Sequence, residues 1–508
     1  MCANGDVHIL SSPSRDRHEG GYTSSMQRQD NAGLLRIIGR LRSCLGADQI
    51  VADRDRLQAL SRDFLRRSRG IHVDTAPAEL PIVAVSPRCT DDVVATVRAA
   101  ASEDIPIVEF GGGTGLMGGA RTVRPGIVID MRTLNRVLAI SPRDRTVSVE
   151  AGAVLADVGD ALAPHGLVIG HDPWTYPIAT VGGTISTNGL GYLGARYGSM
   201  GDQVLGLTVV TADGDVVRTR PMPRSSTGPR LMHLFIGAEG ALGIITEAVL
   251  RVFPRPEATL LMAFNFVDFE AGFRASEDLF AAGITPAMLD FGQTYAGIRL
   301  TDRPVTPAGA RGLMNLAFQG LAEEARAVSR RAAKLLEAAG GRRLPLKAAR
   351  GFWNDRHVVA EEIRARQQRS GSDPEDWLPE GVQFDFLHIA LPASAVIPFK
   401  RESEPLLLAR GISIGEWGLW NQPELFSMTL FRRSTSDADA DAEAFAGGVD
   451  EVLRLAQDAG GSMEYCHGAG IRLAHLMGSE HGDSMEVLRA IKRSLDPHGR
   501  LNPGKLGL

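Results

Sequence analysis

Six of the nine residues from Gly111 to Gly119 are glycine, and they follow directly on the strand-like run Pro106-Ile107-Val108-Glu109-Phe110. A loop this poor in side chains lets backbone N–H groups close around a phosphate-bearing ligand. Residues 113–118 also satisfy G-x-G-x-x-G, the dinucleotide fingerprint, but that motif requires a helix to begin at the loop. Here the turn-like Arg121-Thr122-Val123-Arg124-Pro125-Gly126 follows, and then a second strand-like run, Ile127-Val128-Ile129-Asp130-Met131. The pattern is strand, glycine loop, strand, which disfavours a nicotinamide-type fold. The bland alternative is a tight hairpin that binds nothing.

A chain of 508 residues is too long for one simple core, so at least two domains are expected. Hydrophobic residues at 44% and charged residues at 23% are ordinary for a soluble globular protein. The net charge of −5 gives no basic surplus for nucleic acid. No apolar run approaches the roughly 20 residues of a membrane helix. Residues 1–30 are polar, lack an apolar signal core and read as a disordered tail. Cys2, Cys44, Cys89 and Cys466 form no Cys-x-x-Cys pair, and free thiols in a reducing cytoplasm are expected.

Residues 33–67 look helical, and Thr90 is placed to cap a helix over Val93–Ala100 through its hydroxyl. A second glycine-rich segment spans Ile178–Gly191, and a third spans Phe235–Thr246. Between them a hairpin is predicted, Gly206–Thr211 with Val216–Thr219. Pro254-Arg255-Pro256 reads as a boundary. Residues 258–455 then look like a separate, more helical lobe, and 456–508 a closing segment that includes Asn502-Pro503-Gly504-Lys505.

Taken together, Gly111–Gly119, Thr180-Val181-Gly182-Gly183, Arg196-Tyr197-Gly198, Gly237–Thr246 and Asn502–Lys505 resemble the vanillyl-alcohol oxidase / p-cresol methylhydroxylase flavoprotein superfamily. The resemblance covers roughly residues 34–508. It implies an α+β fold: a two-part FAD-binding domain of p-cresol methylhydroxylase type over 31–257, and an α/β cap domain with an antiparallel sheet over 258–455. Residues 456–508 would return to the FAD site. By match to the family, Gly111, Gly112, Gly113, Thr114 and Gly115 would hold the FAD pyrophosphate. Pro173, Thr180, Gly182, Gly183 and Thr187 would line the adenine-ribityl channel. Glu239, Gly243 and Ile244 would contact the other side, and Asn502 would sit by the ring. The residues agree with this role independently. No basic side chain lies in the 111–120 loop to neutralise a diphosphate, so main-chain donors are the remaining means.

Some relatives tether FAD to a histidine in the first glycine loop, which has none here. Others use a cap histidine whose counterpart is Gln383. Dissociable FAD is therefore expected. The branch that oxidises 2-hydroxy acids often holds a divalent metal with a cap histidine pair, yet residues 389–466 contain no histidine, so no metal site is expected. The phenol-oxidising branch grips its substrate with two tyrosines and an arginine. Here only Tyr465 matches, with Met117 and Cys466 at the other two places. A third branch, the alkyl-dihydroxyacetone-phosphate synthases, shares the pattern His467-Gly468-Ala469-Gly470 and runs non-redox flavin-adduct chemistry.

His467 is the candidate base. Hydride leaving a carbinol builds positive charge at carbon unless the hydroxyl proton departs, and an imidazole of near-neutral pKa suits that transfer. A packing or capping histidine is the competing reading. Tyr465 is a candidate donor to a substrate oxygen, and Arg356 a candidate partner for a substrate carboxylate. An edge-of-core tyrosine and a surface ion pair are the respective alternatives. Asp172 is a reserve base or a turn residue. Glu416, Trp417 and Trp420 either line the cap pocket or pack as aromatic core.

The expected activity is FAD-dependent oxidation of a CH–OH or benzylic carbon in a small molecule, with O2 or a redox partner as electron acceptor. Flavin-adduct transferase chemistry and a non-catalytic flavoprotein subunit are the alternatives. A cytoplasmic location and a homodimer are further expectations, with no nucleic-acid partner.

Overall fold

The computed structural model describes residues 36–66, 68–72, 79–295, 304–370, 381–435 and 437–508. The expected tail over 1–30 lies outside these residues. Three larger sheets organise the described residues, with a two-stranded one pairing Phe253–Pro254 and Leu167–Val168 beside them. The first has four strands in the order Ile50–Val51, Val83–Val85, Ile127–Asp130, Ile107–Phe110, and its last three are parallel. Val83, Ala84, Ile127, Val128 and Ile129 are fully buried, as expected for parallel strands covered on both faces. Ile107–Phe110 is an edge of this sheet, and the glycine loop leaves from its C-terminal end.

The second sheet is antiparallel, ordered Val137–Ser141, Thr146–Glu150, Ile244–Arg251, Val204–Val210, Val216–Arg218. One apolar core joins it to the first sheet, running from Val83 and Ile107 through Val149 and Ile185 to Val209 and Leu250. The third sheet has seven antiparallel strands within residues 258–433, ordered Arg342–Arg343, Ala258–Phe266, Gly312–Gly320, Met288–Thr294, Ser413–Trp420, Leu425–Arg433, Val382–Ala390. Helices Phe269–Ala281, Ala322–Ala338, Ala393–Ala409 and Ala438–Asp458 contribute apolar faces to the core it shares.

After the helix Ala438–Asp458 the chain recrosses to the first two sheets. Leu501 bridges Ile107 in parallel, and the Asn502 amide donates to the Ile107 carbonyl at 2.8 Å. Buried Asp385, on a strand of the third sheet, takes Arg69 at 2.7 Å and also pairs with Arg472. The N-terminal segment, the cap sheet and the C-terminal segment thus meet on one carboxylate.

Several local expectations change. Within 33–67 the described residues hold two α-helical pieces, 36–44 and Arg54–Ala59, separated by the 3-10 turn Ala47–Gln49 and the strand Ile50–Val51. The helix after Thr90 starts at Thr90 itself, with Cys89 at the N-cap and no side-chain cap; the Thr90 hydroxyl reaches Thr246 Oγ1 at 3.0 Å instead. The second glycine segment contains a short helix, Val181–Ser186, whose Gly183 amide is capped by Thr180 Oγ1 at 3.4 Å. Cys44, Cys89 and Cys466 are free thiols. Among the described residues, no helix is long and apolar enough to cross a membrane.

Candidate active site

The three glycine segments and the C-terminal segment line one cavity. At its wall the 111–115 loop presses on the chain at 178–183. A Cβ on Gly111 would stand 2.5 Å from Thr180 Oγ1, and one on Gly112 would stand 2.5 Å from the Ile178 carbonyl oxygen. Gly113 has φ of +68°, which disfavours any side chain there. Among the described residues, the amides of Gly112, Gly113, Thr114 and Gly115 donate to no protein acceptor. Four such unspent donors beside a cavity form an anion-binding concavity. His171 lines the same cavity with both ring nitrogens unpartnered among the described residues, and burial lowers its pKa to about 4, so it stands neutral.

Gly111, Gly112, Gly113, Thr114, Gly115, Pro173, Thr180, Gly182, Gly183, Thr187, Glu239, Gly243 and Asn502 all line this cavity, as does His467. Ile244 does not. It is fully buried in the core between the first two sheets, and its neighbour Ile245 lines the cavity instead. Alternation along the strand Ile244–Arg251 sends the two side chains to opposite faces. Glu239 is a lining residue whose carboxylate is already committed. Oε1 accepts from the Ala469 and Gly470 amides at 2.7 and 3.0 Å, and Oε2 from Gly470 at 2.9 Å. It holds the turn after His467 rather than standing free for a ligand. Burial raises its pKa to about 7. Asn502 Nδ2 closes the same corner, donating to the carbonyls of Gly119 at 2.8 Å and Glu239 at 2.5 Å.

His467, Cys466 and Trp420 share the cavity wall with the glycine segments. Behind His467 lies Glu464, a residue absent from the sequence reading. Glu464 Oε1 accepts from the amides of Cys466 and His467 at 2.7 and 2.9 Å, and Oε2 lies 3.6 Å from His467 Nδ1. Burial alone would lower the His467 pKa, but Cys466 and the Glu464 carboxylate outweigh it and lift the ring to about 10. The expectation of a near-neutral imidazole is therefore corrected: Cys466 and the carboxylate three residues upstream raise the ring. His388, on the strand Val382–Ala390, meets the His467 ring edge-to-face with centroids 4.5 Å apart. Burial and the neighbouring His467 push His388 down to about 3, so it is neutral. Ligand atoms of His388, Glu464 and His467 all lie within 4.8 Å of one another, so this trio can hold a cation or share a proton. The count of histidines over 389–466 missed His388 by one residue.

Tyr465 and Arg356 lie away from the cavity lining. The Tyr465 hydroxyl is buried without a hydrogen-bond partner among the described residues, its ring packed edge-on to His388 at 5.4 Å. Arg356 Nε donates to Asp172 Oδ2 at 3.0 Å, and its guanidinium lies over the Trp353 ring at 4.0 Å. His357 Nε2 adds a contact of 2.8 Å to Asp172 Oδ1. Burial works against the Asp172 anion, but His357 and Arg356 prevail and lower its pKa. Asp172 is thus a held counter-ion, not a reserve base, and Arg356 is spent on it. Trp420 lines the cavity, whereas Trp417 is buried under Lys400, whose Nζ sits 3.8 Å from the ring centroid, and Glu416 takes the Thr294 hydroxyl at 2.9 Å. Gln383 bonds toward Ser434 at 3.5 Å and does not line the cavity.

Residues 81–220 match the FAD binding domain family, and residues 255–506 match the C-terminal domain of FAD linked oxidases. The chain belongs to the FAD-linked oxidases. It is 27% identical over 444 residues to the glycolate oxidase subunit GlcD of Bacillus subtilis (strain 168), covering 84% of this chain and 89% of that one. It is 34% identical over 263 residues to alkyldihydroxyacetonephosphate synthase of Trypanosoma brucei brucei, covering 50% of this chain and 42% of the synthase. The structure of p-cresol methylhydroxylase with substrate bound superposes with a TM-score of 0.73 at 19% identity, covering 95% of this chain and 97% of that one. The fold is therefore of the p-cresol methylhydroxylase type, and the cofactor of this FAD-linked oxidase is FAD. The free amides of residues 112–115 and the unpartnered His171 fit that group.

Proposed function

We propose that this FAD-linked oxidase removes a hydride from the CH–OH or benzylic carbon of a small organic substrate, with FAD bound non-covalently. The observation that carries the reading is a single cavity lined by the uncommitted amides of Gly112–Gly115 and by His467. When bound, FAD supplies the hydride acceptor. The amides of 112–115 would hold its diphosphate, since among the described residues the cavity lining contains no Lys or Arg. Trp420 and Cys466 share the cavity wall with His467 and would bound the space left for the substrate. The base form of His467 takes the substrate hydroxyl proton, and Glu464 stabilises the imidazolium that results. Neutral His388, edge-on to that ring, fixes its plane. The catalytic assignment rests on His467. Tyr465 and Arg356, off the lining, are at most positioning residues for His388 and Asp172.

The resemblance to a glycolate oxidase subunit favours a small hydroxy acid as substrate. The 34% match to the synthase, together with His467-Gly468-Ala469-Gly470, supports a second reading, flavin-adduct transfer without net redox change. Anaerobic mixing of the FAD-loaded protein with 2-hydroxy acids and benzylic alcohols separates the two. Bleaching of the flavin that is lost in His467→Ala, with FAD still bound, is the expected result. Turnover of a dihydroxyacetone-phosphate derivative with no net flavin reduction and no oxygen use would establish the transferase. Bleaching by His467→Ala at the wild-type rate would remove His467 from the mechanism. Release of all yellow colour from the chain on denaturation is expected for dissociable FAD, and O2 or a redox partner is the proposed acceptor.

A further inference from the structure

Away from the cavity, three side chains from three parts of the chain converge on one oxygen atom. Asp450, on the helix Ala438–Asp458, places Oδ2 2.7 Å from His475 Nε2 and 3.1 Å from His72 Nε2. The two imidazoles meet edge-to-face with centroids 5.1 Å apart. His475 lies in the turn Ala474–Leu476 of the C-terminal segment, and His72 follows the N-terminal segment that packs Leu65 and Ile71 against Ile471. We propose that His72, Asp450 and His475 form a binding site for one divalent cation of the zinc class, at the seam between the cap helix and the two terminal segments.

His72 is held from its far side by a second carboxylate. Its Nδ1 lies 2.7 Å from Glu443 Oε1, two helical turns before Asp450. A carboxylate only accepts, so Nδ1 carries the ring proton and a neutral His72 presents the lone pair of Nε2 to Asp450. A lone pair 3.1 Å from a carboxylate oxygen is repulsive unless a positive centre lies between them. That centre is either a second proton on the ring or a cation. A carboxylate behind a ligand histidine is the arrangement that fixes imidazole tautomers at metal sites. The three facing atoms lie within 4.8 Å of one another, and two imidazole nitrogens with one carboxylate oxygen suit zinc and its neighbours rather than calcium or magnesium. Asp450 is buried at 8% side-chain exposure, while His475 at 37% leaves a face open for water as a further ligand. Arg454, one turn after Asp450, brings Nη2 to 3.4 Å from the same oxygen and is half exposed. It competes with the cation and can swing into solvent.

The test is a calorimetric Zn2+ titration of the FAD-loaded, chelator-stripped full chain. One equivalent should bind and raise the unfolding midpoint. His475→Ala should weaken binding by more than ~10-fold, the scale on which disturbing even outer partners of a metal site acts. Asp450→Asn should do the same. Arg454→Ala should tighten binding, a response that a purely structural ion pair would not give. Retained FAD colour shows that each variant is folded, and half-exposed His475 is the substitution least able to disturb the core. Absence of stoichiometric binding overturns the proposal. So does one equivalent that survives in His475→Ala and disappears in His388→Ala, which would put the cation at the cavity.

Discussion

Glu109 is the residue immediately before Phe110 at the end of the strand that launches the glycine loop, and it lines the cavity proposed to hold FAD. Its carboxyl is tucked under Gly240, where a Cβ would come within 2.4 Å of Oε2, and its oxygens find no donor beyond its own amide. Burial raises its pKa from 4.5 to about 8, against the weaker pull of Lys492 and Lys505. A carboxyl whose folded pKa is raised costs nothing while it is protonated in both states. The folded form loses stability as pH climbs from the ordinary value, and the loss is complete above about 8. At about 1.4 kcal/mol per pH unit the ceiling is about 5 kcal/mol. Glu109→Gln keeps the shape of the protonated acid and removes that charge. Urea unfolding of wild type and variant from pH 5 to pH 9 reads the difference. The two should coincide near pH 5, and the variant should gain several kcal/mol by pH 9. FAD affinity should separate in the same direction, since Glu109 lines the cavity and its charge would work against an anionic ligand there. Stability curves that stay parallel across the range would refute the reasoning.

Other consequences are as direct. His467 held near pH 10 by Cys466 and Glu464 is mostly protonated at neutrality, so the rate of flavin bleaching should rise with pH through the alkaline range; Glu464→Gln should move that rise to lower pH, and an unmoved profile would exclude the Glu464–His467 pair. Gly112→Ala would drive a Cβ into the Ile178 carbonyl, and the purified protein should lose most of its bound FAD, read from the ratio of flavin to protein absorbance. Asp172→Asn leaves Arg356 and His357 without their buried counter-ion and should cost about 3 kcal/mol in urea unfolding, with FAD reduction less affected. Chelator treatment should leave the rate of flavin reduction unchanged, and a rate lost and then restored by added Zn2+ would make His388, Glu464 and His467 a cation centre.

The cofactor half of this molecule is legible in its sequence because backbone chemistry is local. A glycine cluster between two strand-like runs has few outcomes, and Gly111–Gly115 expose their amides beside the cavity. Errors there are of one residue or one face, as with Ile244 and Ile245, where strand phase alone decides which side chain sees the cavity. The corner around His467 is different in kind. His388 belongs to a strand of the third sheet, and its approach to His467 depends on the cap folding back over the C-terminal segment. Nothing local to Phe384–Ala390 announces that contact. Glu464 was within reach, since its spacing from His467 puts a carboxylate and an imidazole in one tight turn. Arg356 failed for another reason: its partner is the chain's own Asp172, and sequence does not distinguish an internal carboxylate from a substrate's.

The corner that joins these halves is built under backbone strain. Glu239 and Asn502 adopt φ of +48° and +38°, values that side chains other than glycine rarely take. Such conformations cost roughly 1–3 kcal/mol each and persist only where surrounding contacts over-determine them. Here those contacts are known. Glu239 receives three backbone amide contacts from the turn after His467, and Asn502 donates to the carbonyl of that same Glu239. Gly470 has no room for a side chain, since a Cβ would meet the Met117 carbonyl at 1.9 Å. The turn bearing His467 is therefore fastened to the third glycine segment through Glu239 and to the first through Met117. A histidine contributed by a distant part of the chain is held in register with the loop proposed to grip the cofactor, and the strain at residues 239 and 502 is the structural cost of that alignment.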